Sequence, residues 1–438
     1  MPAAFRIRNI SKASLHGNVT KGHSSISQLV DNLFRKEYGR LVPFLTRFMG
    51  VSLMAYAEDI AQETLIEAYK SWGDHGIPEN PSAWLFKVAR HKSINFINRE
   101  KKLEEVCANS DLYLKLSTDE GELTLEHEID DSVLRMFFAC CAPQITFENQ
   151  ILLILNTLGG FSRKEIANAL LMKEETVKKR LFRIKKEIRE GEQFLEVPTG
   201  KDLVPRLNAI HNTLYLLFNE GYNSSNKNTL IRKDICLEAM RLCKLVIKHF
   251  PEDYSIKSLF ALMCFHTARF DSRIDNKGAI IVFEDQDRTK WNKELIDMGI
   301  YYLSEASNEK SEVSVYHLEA NIASVHCTAK SFEDTDWLQI EKLYHWLYLF
   351  KPTPIIKLNL AIVSSKIVGL EKALEQLEYL EQTEGKLKNY YLLHATMGEF
   401  YKQLGKTDKA MNHFAKAKHL TNSSKERQLI DAKIVEHT

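Results

Sequence analysis

The segment Ser162–Glu190, SRKEIANALLMKEETVKKRLFRIKKEIRE, leaves the chain few folds to choose from. Ser162 with Glu165 three residues on is a capping-box signature, so a helix starts there, and Ile166, Ala167 and Leu170 give it an apolar stripe. Leu171, Met172 and Lys173 form a tight turn. A second helix opening at Glu174 keeps Val177, Leu181, Ile184 and Ile188 on one side and turns Glu175, Lys179, Arg183, Lys186 and Arg189 outward. Over Glu174–Glu190 seven basic residues stand against four glutamates, a net of +3. A capped helix, a short turn and a basic second helix is the arrangement that sets a helix into a DNA groove. The plainer alternative is a solvated charged helix.

The remaining sequence is helical in pattern as well. Apolar residues recur at helical spacing, no sustained alternation argues for a sheet, and Gly and Pro number only 18 and 10 in 438 residues, so the expected fold class is all-α with two or three domains. Seven cysteines, Cys107, Cys140, Cys141, Cys236, Cys243, Cys264 and Cys327, form no CxxC pair, which points to reduced buried thiols and to neither a disulfide framework nor a zinc site. No stretch approaches the ~18 apolar residues of a membrane span, and residues 1–27 lack the apolar core of a secretion signal and read as a disordered tail. A cytoplasmic protein is expected.

With 59 basic and 58 acidic residues the overall balance is +1, and the information lies in its zoning. After amphipathic helix over Gln28–Met49, Ala55–Tyr69 carries only Glu58, Asp59, Glu63 and Glu67, a charge of −4. Asn80 as N-cap and Pro81 as first residue then open a helix in which Trp84–Lys102 holds six basic residues against Glu100 alone, a net of +5. Trp84 and Phe96 lie among those cations, a combination suited to stacking single-stranded bases; a core role for both rings is the alternative. Leu103–Asp131 reverses the sign with ten acids against Lys115, −9. That composition fits a solvated linker, or one that lies in a nucleic-acid channel as an electrostatic mimic. Helices resume at Ser132–Cys141 and Glu148–Leu158.

An acidic helix with AEDIAQET, a basic aromatic helix after NPSAW, an acidic linker and a terminal helix-turn-helix resemble, over about Ser27–Pro198, the extracytoplasmic-function (ECF) sigma factors of bacterial RNA polymerase. The resemblance implies a first domain over 28–102 (sigma region 2), a linker over 103–131 and a helix-turn-helix domain over 132–198 (region 4). It implies that Asp59, Gln62 and Glu63 dock on the coiled coil of the largest polymerase subunit. It further implies that the loop and helix around His75, Asn80, Trp84, Lys87, Arg90, Lys92, Asn95 and Arg99 open and read the minus-ten element. Arg163, Glu175, Thr176, Lys178, Lys179, Arg183 and Lys186 then face the minus-thirty-five duplex, those nearest the start of the second helix being best placed to discriminate bases. Tyr56 departs from the pattern, standing where an acidic residue is common.

From Thr199 onward the chain exceeds a minimal sigma factor. Gly398, Tyr401, Ala410, Phe414 and Ala417 fall at the spacings of a tetratricopeptide repeat, with His394 and Asn422 in place of the usual Trp and Pro, and Ala361, Ala373, Leu377 and Leu380 echo it upstream. A repeat solenoid over 199–438 is therefore expected, with divergent repeats between Leu237 and Leu349; an irregular helical bundle is the alternative. The segments YLLFNEGYNSS, FEDQDRTKW, TDWLQI and YYLLHA, together with Cys140, Cys141 and Pro143, resemble the ECF subgroup with a tetratricopeptide extension, although Ala142 stands where that subgroup commonly has histidine.

Glu220, Tyr222, Asp285, Asp287 and Arg288, charged residues beside aromatics, fit a buried ion-pair network or a pocket for a protein or peptide ligand. No nucleophile with its base, phosphate loop or metal-ligand spacing is visible, so neither enzymatic activity nor a cofactor is expected. The reading is a sigma factor that binds core RNA polymerase and promoter DNA, with the extension as a fused regulator. The competing readings are a stand-alone helix-turn-helix regulator with a repeat sensor and a repeat scaffold whose basic face is incidental.

Overall fold

The computed structural model describes residues 22–100, 122–170, 172–190, 197–223, 232–275, 278–307, 312–421 and 423–435. The expected tail up to Lys21, most of the acidic linker, Cys107, Leu171 and Asn422 lie outside them. Among the described residues one isolated bridge, Ile274 to Ile280, interrupts an otherwise all-helical fold. The chain divides into two compact units, residues 1–133 with 157–161 and residues 134–156 with 162–438.

The first unit is built on α1 (Gly22–Met49), α2 (Met54–His75), α3 (Pro81–Glu100) and the opening turns of α4 (Glu122–Cys140). Leu41, Val42, Leu45, Met54, Ala57, Leu85 and Phe86 are buried between the helices. Arg40 ties the unit together: it donates to Glu37 at 3.1 Å, to Ser82 Oγ at 3.0 Å and to Glu126 Oε2 at 2.6 Å, joining α1, α3 and α4. Arg47 on α1 pairs with Asp131 at 2.5 Å. Two expected boundaries shift. Helix α1 starts at Gly22, inside the expected tail, and α4 starts at Glu122, ten residues before Ser132. The physical reason for the second is visible, because the last acids of the supposed linker neutralise arginines of α1 and need a helix to reach them.

The second unit continues α4 from Leu134 and adds α5 (Phe147–Thr157, up to Asn156), α6 (Arg163–Ala169), α7 (Glu174–Glu190) and, among the described residues, eleven further helices. These are α8 (Leu203–Tyr222), α9 (Lys233–His249), α10 (Tyr254–Ala268), α11 (Lys293–Ala306), α12 (Val315–Thr328), α13 (Trp337–Phe350), α14 (Pro354–Ser365), α15 (Leu370–Thr383), α16 (Tyr391–Gln403), α17 (Thr407–Leu420) and α18 (Ser424–Val435). Local chemistry sets several starts: Asp253, Asn292, Ser314, Asp336 and Thr353 each accept a backbone N–H of the first turn, and Pro354 occupies the first position of α14. Consecutive helices pack on one another, and α10 also packs on α12, the nearest-neighbour pattern of a solenoid. The expected repeat residues Ala361, Ala373, Leu377, Leu380, Tyr401, Ala410, Phe414 and Ala417 all share one buried cluster. At Gly398 an added Cβ falls 2.7 Å from the Phe414 ring, so α16 and α17 approach closely only because that position has no side chain.

Residue 198 is not a break between compact units. Arg206 on α8 donates to the carbonyl of Phe138 at 2.5 Å, Thr213 donates to Gln150 Oε1 at 2.8 Å, and Phe138 lies edge-on to Phe250 with centroids 6.0 Å apart. The tail thus packs on the last turns of α4 and on α5 within the same unit.

Candidate nucleic-acid interface

The α6–α7 pair forms as its sequence requires. Ser162 Oγ accepts the Glu165 N–H at 3.2 Å while the Glu165 carboxylate accepts the Ser162 N–H at 2.8 Å, closing the capping box. Val177, Leu181, Ile184 and Ile188 are buried, and Lys185 reaches back to donate to Asn156 on α5 at 2.6 Å. Arg163, Glu175, Thr176, Lys178, Lys179, Arg183 and Lys186 are all exposed on the pair, although the whole tail belongs to the same unit. Their ion pairs, Lys178 to Glu175 at 3.7 Å, Arg183 to Glu187 at 3.9 Å and Lys186 to Glu190 at 3.6 Å, link neighbours one turn apart in water and are weak enough for a phosphate to replace. Phe182, 67 % exposed beside them, was not singled out from the sequence; its position just off the apolar stripe is the signal.

In the first unit, Asp59, Gln62 and Glu63 are exposed on α2, and Ile66, at 56 % exposure, continues the same helical face. An acidic face with an uncovered aliphatic residue suits a protein partner better than a nucleic acid, and the helical spacing of Ile66 from Asp59, Gln62 and Glu63 is the sequence signal for it. On the next helix Asn80 caps α3 by accepting the Ala83 N–H at 3.0 Å. His75, Asn80, Lys87, Asn95 and Arg99 are exposed, whereas Trp84, Arg90 and Lys92 are half-buried. Lys92 lies 3.5 Å from Glu63 and 3.0 Å from Glu67, which commits it to α2. Trp84 packs edge-on against the buried Trp72 at 5.7 Å, and Phe96 packs on Tyr56 at 4.5 Å. Both rings therefore serve the packing of α3 on α2.

The five residues singled out in the tail do not form a pocket. Asp285 and Asp287 are exposed, and Asp287 accepts the N–H and hydroxyl of Thr289. Arg288 donates to the carbonyls of His326 and Ala329 at 2.6 and 2.8 Å and stacks 4.7 Å over Trp291. Tyr222 is buried under Arg273, 3.8 Å over its ring, and Glu220 is half-buried. The FEDQDRTKW segment is thus a structural clasp, in which Arg288 is held by two backbone carbonyls and a ring face. A cavity of about 510 Å³ lies elsewhere in the tail, lined by Tyr215, His266, Glu319, His326, Tyr344 and Lys351 among others. Burial raises the Glu319 carboxyl and lowers His266 to about 3 and His326 to about 4, with nearby arginines adding to the effect on both imidazoles. These residues lie on four helices far apart in sequence, with Lys351 just past the end of α13, and only Tyr215 lies in one of the segments YLLFNEGYNSS, FEDQDRTKW, TDWLQI and YYLLHA.

Cys140, Cys141, Cys236, Cys243, Cys264 and Cys327 are buried and unpaired, and burial pushes the Cys141 thiol up to about 12. No helix among the described residues is long and apolar enough to cross a membrane.

Three family descriptions match this chain: sigma-70 region 2 over residues 33–103, sigma-70 region 4 over 139–188, and a family of unknown function, DUF6596, over 206–307. An uncharacterized protein, R00370, of Rhizobium meliloti (strain 1021) is 33% identical over 378 residues, 85% of this chain and 88% of the relative. The ECF RNA polymerase sigma factor SigL of Mycobacterium tuberculosis (strain ATCC 25618 / H37Rv) is 30% identical over 29% of this chain and 69% of its own length. The RNA polymerase sigma factor YlaC of Bacillus subtilis (strain 168) is 24% identical over 37% of this chain and 91% of its own length.

Proposed function

This chain belongs to the ECF sigma factors of the sigma-70 family, and from that premise we propose that it binds core RNA polymerase through α2, reads promoter DNA through α3 and α7, and carries a regulator in its tail. The observation that carries the reading is the α2 face of Asp59, Gln62, Glu63 and Ile66, all exposed. A DNA-binding regulator acting alone has no use for that face. Phosphate contacts from Lys178, Lys179, Arg183 and Lys186 supply salt-sensitive affinity for the minus-thirty-five duplex, and Glu175 and Thr176 at the start of α7 face base edges. The surface cations of α3, Lys87 and Arg99, with Asn95, follow the melted minus-ten strand. The reading is of a binding protein working in the cytoplasm with polymerase, not of an enzyme.

The tail is read as a tetratricopeptide-like solenoid that modulates initiation, with the cavity beside Glu319 as the place for a protein or peptide ligand. Its contacts with Phe138 and Gln150 support control through the end of α4 and α5, the helices that carry the α6–α7 pair in the same unit. Those contacts also make truncation at residue 198 a poor test, because it uncovers the core around Phe138. Point changes in the full chain are better. Copurification with core polymerase, lost on charge reversal in Asp59→Lys with Glu63→Lys and retained in Lys179→Ala, supports the docking assignment. Undiminished copurification in the double variant overturns it. Arg206→Met in run-off transcription from a cognate promoter tests the regulatory part: core binding is kept and promoter output changes. Wild-type output in a stably folded variant removes the tail from control.

A further inference from the structure

Glu381 on α15, His394 on α16 and His413 on α17 bring a carboxylate and two imidazoles to one point in the tail, with one ligand atom of each inside 4.8 Å of the others. Nδ1 of His394 lies 3.2 Å from Nδ1 of His413 and 3.8 Å from Glu381 Oε1. The other nitrogen of His394, Nε2, is 2.9 Å from the Lys388 carbonyl oxygen. A carbonyl only accepts, so Nε2 carries a proton, and Nδ1 of His394 accepts from His413 Nδ1–H, whose proton a bound metal ion would replace. Orientation of an imidazole by a backbone carbonyl, with its free nitrogen turned toward a second imidazole and a carboxylate, is how proteins hold histidine on a metal.

We propose that Glu381, His394 and His413 bind a divalent transition-metal ion of the zinc class, which pins three successive helices of the tail. Zinc holds nitrogen and carboxylate oxygen at about 2.0–2.2 Å in tetrahedral geometry, which places neighbouring ligand atoms about 3.3 Å apart. The imidazole nitrogens already stand at that separation, and the carboxylate needs only a small rotation. Two imidazoles and one carboxylate suit zinc and its neighbours in the first transition row better than the oxygen-seeking calcium or magnesium. His394 and His413 are 2 % and 9 % exposed, and the Tyr401 ring covers His413 with centroids 5.3 Å apart. Tyr401 is itself fixed by donating to Glu378. The competitor is Lys416, whose Nζ lies 3.4 Å from Glu381 Oε1 and whose side chain is 55 % exposed, free to swing away when a cation arrives. The positions 381, 394 and 413 match no short ligand motif, so the site becomes visible only when the helices pack.

The test uses the full chain, stripped with a chelator and titrated with zinc chloride, and then with cobalt(II) to read coordination by visible absorption. One equivalent of zinc binds, the melting temperature rises, and cobalt gives the intense bands of a four-coordinate site. Glu381→Gln, at a half-buried position that leaves the core intact, weakens zinc binding by about tenfold or more, and His413→Gln does the same. Lys416→Ala tightens it severalfold by removing the competitor. Absence of saturable zinc binding overturns the assignment. So does unchanged affinity in Glu381→Gln and His413→Gln, which would move the metal to the cysteines. Unchanged affinity in Glu381→Gln alone, with His413→Gln weakened, overturns the carboxylate's place in the ligand set.

Discussion

Cations are placed in opposite ways in two parts of the same compact unit. On α7, Lys178, Lys179, Arg183 and Lys186 stand in water, paired at 3.6–3.9 Å only with glutamates on their own helix where a pair is formed at all. In the tail, Arg269 lies 4.2 Å over Phe283, Arg273 3.8 Å over Tyr222 and Arg288 4.7 Å over Trp291. The first set keeps its charge available and costs nothing to the fold when a partner takes it. The second set spends its charge on ring faces and carbonyls, so that any change there is felt as stability. Charge counted along a sequence does not separate the two cases; the neighbourhood of each cation does.

The largest consequence is a difference in acid tolerance. Burial and the neighbouring arginines hold His266 at about 3 and His326 at about 4, below the ordinary imidazole value near 6.5. Both are neutral in the folded tail, while the unfolded chain takes up their protons below that ordinary value. Stability is therefore full above about pH 7 and falls as the pH drops through 6.5 toward the folded values. Between pH 7 and pH 5 the two histidines together remove about 3–4 kcal/mol. Thermal melts of the full chain across that range measure it, and His266→Phe with His326→Phe flattens the dependence. A melting temperature unchanged between pH 7 and pH 5 would mean that these imidazoles are solvated and the arginine clasp is open.

Next in size is Arg273→Ala. Nη1 of Arg273 donates to the Tyr222 carbonyl at 2.7 Å and Nη2 donates to Asn223 Oδ1 at 2.8 Å, so truncation removes the ring contact and orphans a carbonyl. A loss of about 2–3 kcal/mol is expected by chemical denaturation. Arg273→Lys recovers little of it, because an ammonium cannot stack and donate in two directions at once.

How much of this could be read beforehand follows from the same distinction. The capping box at Ser162, the apolar stripe of α7 and the N-cap at Asn80 are local, and each formed where the sequence placed it. Ala373, Leu377, Ala410, Phe414 and Ala417 recur at helical spacing, which sets them on one face of their helices, and they share one buried cluster. Glu126 and Asp131 were taken for linker because low apolar content signals solvation, and only Arg40 and Arg47, more than eighty residues away, make them structural. Arg288 fits neither an ion-pair network nor a pocket, because the carbonyls of His326 and Ala329 that hold it lie some forty residues away. The cavity beside Glu319 and the cluster at His394 depend on helix packing between distant segments, which neither periodicity nor motif spacing encodes.

Helix α3 gives the intermediate case. Lys92 belongs to the basic run but is 28 % exposed at its side chain and bridges Glu63 and Glu67. Lys92→Ala is expected to cost about 0.5–1 kcal/mol of stability, and to lower affinity for single-stranded minus-ten DNA less than Lys87→Ala, whose side chain is exposed. Equal losses of affinity in the two variants would show that Lys92 leaves its acids when DNA binds.

The smallest effect on the fold sharpens the contrast most. Arg183 is 66 % exposed and lies 3.9 Å from Glu187, a solvent-screened pair. Arg183→Ala should therefore change stability by no more than about 0.5 kcal/mol. Its effect on DNA is expected to be plain: weaker binding to every duplex sequence tested, and a dependence of log affinity on log salt that is shallower by about one unit, the signature of one lost phosphate contact. The measurement is a salt titration of duplex binding by the polymerase holoenzyme, beside a melt of the isolated chain. Lost stability with an unchanged salt slope would place Arg183 with the arginines of the tail, and α7 would then present no free cationic face at that turn.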